Sequence, residues 1–352
     1  MDRTGQYQGS QAFTHLVPSE IESVNPNTGS LNCKMPLIKL RGIRDSIDLN
    51  LNLSYSIGTA GTFGLPDSWS LDLPYVLEDK SLTLNGRTYA IDFGWSDINH
   101  HPSGLRYLNN HGIKFQAIVP PQPLPSGMRG LYGYKLYNVD GSSDYFDVMG
   151  KPLEHSDIYG NYIYYAYLPG AEAGVDNKEV KLDYIQDSWG QKIQFRYQTG
   201  VEVRIILPNQ NHTSIMFSSV GVTAIVDPED LRTTFEYTRF SGDETVQTLS
   251  TIHYPTGLTS RYDYGQIVYL TQNGTSKNMP AVQNHYNHDS DSTFYRHTEY
   301  VFGGLSGNSY TGASIGVKMT GATDGLMDGN NNASTFTYDP TPFCPWIASH
   351  LA

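Results

Sequence analysis

The chain has 352 residues, ample for a buried core, and carries 26 Tyr, 34 Gly and 19 Pro while only 16% of its residues are charged. That composition belongs to large, turn-rich β proteins. A formal charge of -12 argues against nucleic acid as a partner, because phosphate binding calls for clustered Lys and Arg and no basic run is present.

Residues 1–20 read as a polar lead-in, and Met1-Asp2-Arg3-Thr4-Gly5-Gln6 opens without an apolar stretch, so neither a signal peptide of the usual design nor a transmembrane segment is expected. Residues 21–130 form a first β segment. VNPNTGSLNCKMPLIKL predicts a turn at Asn25 to Gly29 and a strand ending near Leu40. Ile47, Leu49, Leu51, Leu53 and Tyr55 alternate with Asp48, Asn50, Asn52 and Ser54, the period-two pattern of an antiparallel strand with one buried face. Gly64 to Pro74 predicts a turn and a short strand closed by proline. Asn85-Gly86, between Ser81–Leu84 and Arg87–Ile91, predicts a hairpin. Residues 94–130 read as a less regular insert in which Pro120-Pro121-Gln122-Pro123-Leu124-Pro125 is an extended surface loop.

Residues 131–339 read as an array. Strands and turns alternate through Asp140-Gly141 and Met149-Gly150, and an eleven-residue phrase then recurs five times: DIYGNYIYYAY, DSWGQKIQFRY, DPEDLRTTFEY, YPTGLTSRYDY and DGNNNASTFTY. Its first position is Asp157, Asp187, Asp227, Tyr254 or Asp328, and its fourth is glycine at Gly160, Gly190 and Gly257. The ninth and eleventh are aromatic throughout: Tyr165 and Tyr167, Phe195 and Tyr197, Phe235 and Tyr237, Tyr262 and Tyr264, Phe336 and Tyr338. An Asp side chain can bind backbone N–H groups and Gly tolerates positive φ, so each copy predicts a tight turn followed by a strand whose two aromatics share a face. Stacked hairpins of this kind bury their aromatics only against one another. The final aromatics are spaced by 30, 40, 27 and 74 residues (Tyr167, Tyr197, Tyr237, Tyr264, Tyr338), which reads as an irregular array with inserts. The Gly/Ser/Asn-rich stretch near 266–327 is the largest of these. The tail at 340–352 breaks the pattern. Either Trp346 and Ile347 cover a strand edge or the chain is a piece of a longer product, and the second is expected.

These phrases resemble the YD repeats of the rearrangement-hotspot (RHS) family, whose units run like D-x-x-G-R-x-T-x-Y-x-Y-D. The copies at Asp187 to Tyr197 and Asp227 to Tyr237 are the most similar. VNPNTGSLNCKMPLIKL, DLNLNLSYSIG and GLPDSWSLDLP resemble the family's N-terminal shell segment. The resemblance implies an all-β fold of antiparallel hairpins stacked into a curved, spiralling sheet or partial shell. It further implies a non-enzymatic scaffold, secreted or delivered to the cell surface, that encloses or presents a toxin cargo, with downstream repeats or that cargo as partners. The five copies fall short of a complete shell. Asp227-Pro228 and Asp339-Pro340 stand outside the paired Asp-Pro-x-Gly context of the family's self-cleaving segment, so self-cleavage is not carried over.

Two other readings stay open. Exposed tyrosines, with Tyr162 and Tyr164 as candidate contacts, could stack on sugars in a carbohydrate-binding or adhesion module that meets a cell-surface glycan. A polysaccharide-degrading enzyme is the third, although no nucleophile elbow, phosphate loop or zinc helix is present. His285, His288, Asp289, Asp291 and His297 make a ligand set on paper. A three-residue offset would put the first two on opposite faces of a strand, and a solvated loop is expected; no metal or cofactor is assigned. Cys33 and Cys344 are the only cysteines, and two idle thiols are expected rather than a pair.

Overall fold

The structure, a computed structural model, describes residues 21–25, 29–42, 47–77, 81–84, 87–90, 103–104, 114–170, 179–270, 276–288, 294–301, 314–320 and 332–337. The lead-in, His100-His101, Asp289 to Asp291, Asp328, Tyr338, Cys344 and the tail lie outside them. The elements described are β-strands, and every pairing between them given below is antiparallel. The all-β expectation holds.

The chain divides into two compact units. The first is built on Lys34–Ser54 and Thr59–Leu231. Its strands Leu131–Tyr137, Ser143–Phe146, Pro152–Ser156, Tyr162–Tyr167, Leu182–Asp187, Lys192–Gln198, Glu202–Ile206, His212–Ser218 and Gly221–Val226 each pair with the next. A separate hairpin, Ser81–Leu84 with Arg87–Ala90, pairs with Tyr75–Val76, as the Asn-Gly signal required. Alternation in Leu49–Ser56 buries Leu49, Leu51 and Leu53 on one face. Two aromatic-rich clusters fill this unit: Val76, Leu82, Tyr89, Phe115, Leu136 and Phe146 in one, and Leu124, Tyr132, Tyr145, Leu153, Tyr164 and Ala166 in the other.

The second unit holds the described residues of Thr14–Cys33, Tyr55–Gly58 and Arg232–Ala352. Strands Arg232–Phe240, Asp243–His253, Thr259–Leu270, Ser276–His288, Phe294–Val301, Ser314–Thr320 and Asn332–Thr337 pair in succession. Glu22–Val24 pairs with Leu31 to Cys33 after the predicted turn, where the Gly29 N–H donates to the Asn25 carbonyl at 2.8 Å.

Three sequence expectations need correction. The proline run is not a loop: Lys114–Pro123 is a strand paired with Leu131–Tyr137, in register Pro123 to Leu131 and Gln122 to Tyr132. Its proline side is exposed, which is how a strand accommodates residues without an N–H. The stretch near 266–327 is not a plain insert. It carries the ends of Thr259–Leu270 and the whole of three further strands, so polar composition hid regular hairpins. The array is also more regular than the aromatic spacing suggested. Leu207 to Phe217 is an unrecognised copy, and starts at Asp187, Leu207 and Asp227 are evenly spaced.

Candidate functional site

The recurring turn is the feature the sequence specifies most completely. At Asn138, Asp147, Asp157, Asp187, Leu207, Asp227 and Tyr254 the first residue's N–H donates to the carbonyl four residues on, and the fourth residue's N–H donates back to the first carbonyl. The fourth residue has positive φ in every case: Gly141, Gly150, Gly160, Gly190, Gln210, Asp230 and Gly257. This is a type I turn closed by a left-handed residue. Where the first residue is Asp147, Asp157, Asp187 or Asp227, its Oδ1 accepts two further N–H bonds, from the third and fifth residues, at 2.8–2.9 Å. The remaining oxygen, Oδ2, takes a side chain from position five: Lys151, Asn161 or Gln191.

Leu231 occupies that fifth position in the third copy, and Asp227 Oδ2 is buried without a partner. Burial, opposed by the two backbone bonds, raises the Asp227 carboxyl above its ordinary range. A group whose native pKa is raised costs stability as pH climbs through its unfolded value and on through the native one, so the penalty is fully present at neutral pH. Leu231→Gln is therefore expected to raise stability at pH 7 by about 0.5–1 kcal/mol. The gain should shrink in acid as Asp227 protonates; urea melts at pH 7 and pH 3 read both, and a loss at pH 7 would refute it.

The aromatic positions divide their work. The ninth residues Tyr165, Phe195, Phe235 and Tyr262 are buried, and the eleventh, Tyr167, Tyr197, Tyr237 and Tyr264, are half-buried. A register shift separates the tenth residue from the eleventh at Ala166/Tyr167, Glu236/Tyr237 and Asp263/Tyr264, re-aiming the tyrosine. The two strands flanking the turns at Asp157, Asp187 and Tyr254 stay paired for only three residue pairs. Beyond that point in the Asp157 and Tyr254 copies the tyrosine hydroxyl replaces the ladder: Tyr167 donates to the Pro152 carbonyl and Tyr264 to the Leu249 carbonyl, both at 2.7 Å and both 15 residues back. The buried Tyr197 hydroxyl of the Asp187 copy, by contrast, donates to no carbonyl among the described residues. Burial pushes the Tyr167 and Tyr264 hydroxyls well above the ordinary tyrosine range, so they remain donors.

The Leu207 copy supplies the contrast. Its eleventh residue is Phe217, which has no hydroxyl, and there the ladder runs five pairs and continues through Phe217 N–H to the Val201 carbonyl. Tyr264→Phe should thus leave a buried carbonyl unpaired and cost about 1–3 kcal/mol. Chemical denaturation checks this, and a cost indistinguishable from zero would mean water replaces the hydroxyl.

Tyr164 is not available to a glycan. It is buried, packs at 6.1 Å from Tyr184 and donates its hydroxyl to the Arg129 carbonyl, while Tyr162 packs against the same cluster. Among the described residues of this unit the well-exposed aromatics are instead Tyr159 and Trp189, both third residues of their turns.

Sequence reasoning missed a buried polar group in the second unit. Glu22 lies opposite Cys33, Tyr254 donates its hydroxyl to Glu22 Oε1, and His285 Nε2 is 3.1 Å from Oε2. The His285 ring stacks on Tyr262 at 4.7 Å. Asn287 donates to Ser260 Oγ at 2.8 Å beside it. Burial, then the Glu22 charge, pushes up both the Tyr254 hydroxyl and the Cys33 thiol, leaving that thiol protonated and unreactive. His285 therefore sits on a strand and not in the solvated loop expected for it. The Glu22 side chain is 1% exposed, and the Tyr262 hydroxyl is buried beside the group without a hydrogen-bond partner among the described residues. Among the described residues no three His, Cys, Asp or Glu side chains converge on a metal position, and no helix is long and apolar enough to cross a membrane.

No family model matches the chain, and no curated protein does. Among solved structures it is similar to the crystal structure of TcdB2-TccC3-TEV, with 8% identity over 96% of this chain and a TM-score of 0.24. The chain spans 16% of the length of that one. At this TM-score the likeness carries no argument.

Proposed function

We propose that this chain is a wall segment of a YD-repeat shell, a non-enzymatic scaffold that encloses or presents a toxin cargo outside the producing cell. The observation that carries the reading is the turn repeated at seven positions with one hydrogen-bond scheme. It recurs at the four RHS-like phrases among the described residues, those at Asp157, Asp187, Asp227 and Tyr254, and at three positions that the phrase does not spell, Asn138, Asp147 and Leu207. Such a unit has no chemistry of its own. Asp, Gly and Tyr are each consumed in closing a turn or capping a strand, which is what a wall requires and a catalytic site does not. Cargo or further repeats would then be the natural partners, and a secreted or surface-delivered setting follows from the same reading.

Protease protection in the intact native gene product tests it. Polypeptide following this segment should be cut at least tenfold more slowly under native conditions than after the wall is unfolded in urea. Equal cleavage rates would rule out enclosure.

A further inference from the structure

The strand Asp243–His253 treats its two neighbours unequally. With Arg232–Phe240 it pairs from Thr234 and His253 through to Phe240 and Asp243. With Thr259–Leu270 it pairs only at Thr251 and Arg261, Ile252 and Ser260, and His253 and Thr259, while Thr259–Leu270 pairs along its length with Ser276–His288. Two ribbons therefore part beyond Thr251 and Arg261. They approach again at the tip, where a Cβ on Gly242 would lie 3.3 Å from Gln266 Oε1.

Between these points is a groove of about 530 Å³ lined by residues of Tyr237–Ser241, Thr248–Thr251 and Arg261–Tyr264, within the size range of small-molecule sites. Four consecutive residues, Arg261 to Tyr264, line it. Neighbours on a strand point to opposite faces, so the groove passes between the strands and does not merely lie on the sheet.

Its chemistry is selective. Arg239 is exposed and forms no ion pair among the described residues. Arg261 shares its charge with Asp263 at 3.1 Å, so Arg239 is the guanidinium left without a carboxylate among the lining residues, in a chain of net charge -12. Thr238, Ser250 and Thr251 add hydroxyls, and the ring of Tyr237 adds a half-buried aromatic face. An added β-strand does not fit here. At the inner end the Leu249 N–H already donates to the Tyr55 hydroxyl at 3.1 Å, and its carbonyl already accepts from Tyr264.

We propose that this groove binds an acidic saccharide. Arg239, on the same strand face as Tyr237, takes the carboxylate in a forked bond; Thr238, Ser250 and Thr251 meet sugar hydroxyls; and Tyr237 stacks on the ring's apolar face. The site does not depend on the wall reading, since either can fail alone.

Titration calorimetry of the full chain with glucuronic acid and N-acetylneuraminic acid is the test, with glucose and a Glu-rich hexapeptide as comparators. At least one acidic sugar should bind saturably and at least tenfold tighter than glucose, more weakly as salt rises. Arg239→Gln should weaken that binding tenfold or more with the melting temperature unchanged, and Arg239→Lys should fall between. The proposal is overturned by no saturable binding of either acid, by equal affinity for glucose, by undiminished binding to Arg239→Gln, or by preference for the peptide.

Discussion

Gly150→Ala is expected to destabilise the first unit by more than about 3 kcal/mol, while the same change at Gly160 costs only about 1–2 kcal/mol. Both glycines hold the fourth position of the same turn, with φ of +94 and +85, so both alanines suffer the left-handed backbone. They differ in what surrounds them. A Cβ on Gly150 would lie 2.1 Å from the Val76 carbonyl oxygen and 2.9 Å from its carbonyl carbon, whereas nothing lies within 4 Å at Gly160. Val76 cannot withdraw cheaply, because its N–H donates to the Gly150 carbonyl at 2.9 Å and its side chain is part of a buried cluster. The turn that begins at Asp147 is therefore pressed flat against the strand Tyr75–Val76, and a bare α-carbon is what allows it. Urea midpoints of the two variants decide the matter; equal shifts would mean that the contact yields, and that only the dihedral strain is felt.

The same pair of glycines marks how far the sequence can be read. Asp and Gly at a three-residue offset identified the turns because the side chain and the backbone conformation act locally, as Asp187 and Gly190 show. Leu207 to Phe217 escaped because only its eleventh position, Phe217, carries the diagnostic residue type. Leu207 cannot bind N–H groups through its side chain, Gln210 adopts φ +72 without being glycine, and Ile215 stands where an aromatic was sought. Its fold is imposed by pairing with both neighbours, five residue pairs on each side. The prolines of Lys114–Pro123 misled for a related reason, since proline forbids a central strand but allows the exposed positions it occupies here.

What tyrosine does at the eleventh position was half legible. Its recurrence predicted packing, and Tyr167 and Tyr264 do pack. That a hydroxyl stands in for a lost ladder bond 15 residues upstream depends on a register shift no local pattern announces. The groove follows from that device. Strands that diverge after three pairs open a gap, tyrosines seal its inner end, and whatever polar residues remain at its mouth become a lining. Glu22 was wholly out of reach, since its partners Tyr254 and His285 are remote in the chain and nothing near Glu22 in sequence signals a buried carboxylate.

That carboxylate supports the second large effect. Glu22→Ala is expected to cost about 3–5 kcal/mol, because it removes one side of a buried polar group and leaves the rest without a counterpart. Tyr254 would lose its acceptor and His285 the carboxyl oxygen 3.1 Å from its Nε2, with the His285 side chain only 13% exposed and its ring held against Tyr262. The damage should be mostly that of orphaned polar groups rather than of lost attraction, since desolvating a charge offsets much of what a buried pair gains. Two comparisons separate these. Glu22→Gln keeps an acceptor for Tyr254 and should cost less than half as much as the alanine. The double change Glu22→Ala with His285→Leu removes both partners and should recover stability relative to Glu22→Ala. If the double variant is instead less stable than the single by the full cost of His285→Leu measured alone, the two residues act independently, and the cluster is not the lock that joins Glu22–Val24 to Ser276–His288.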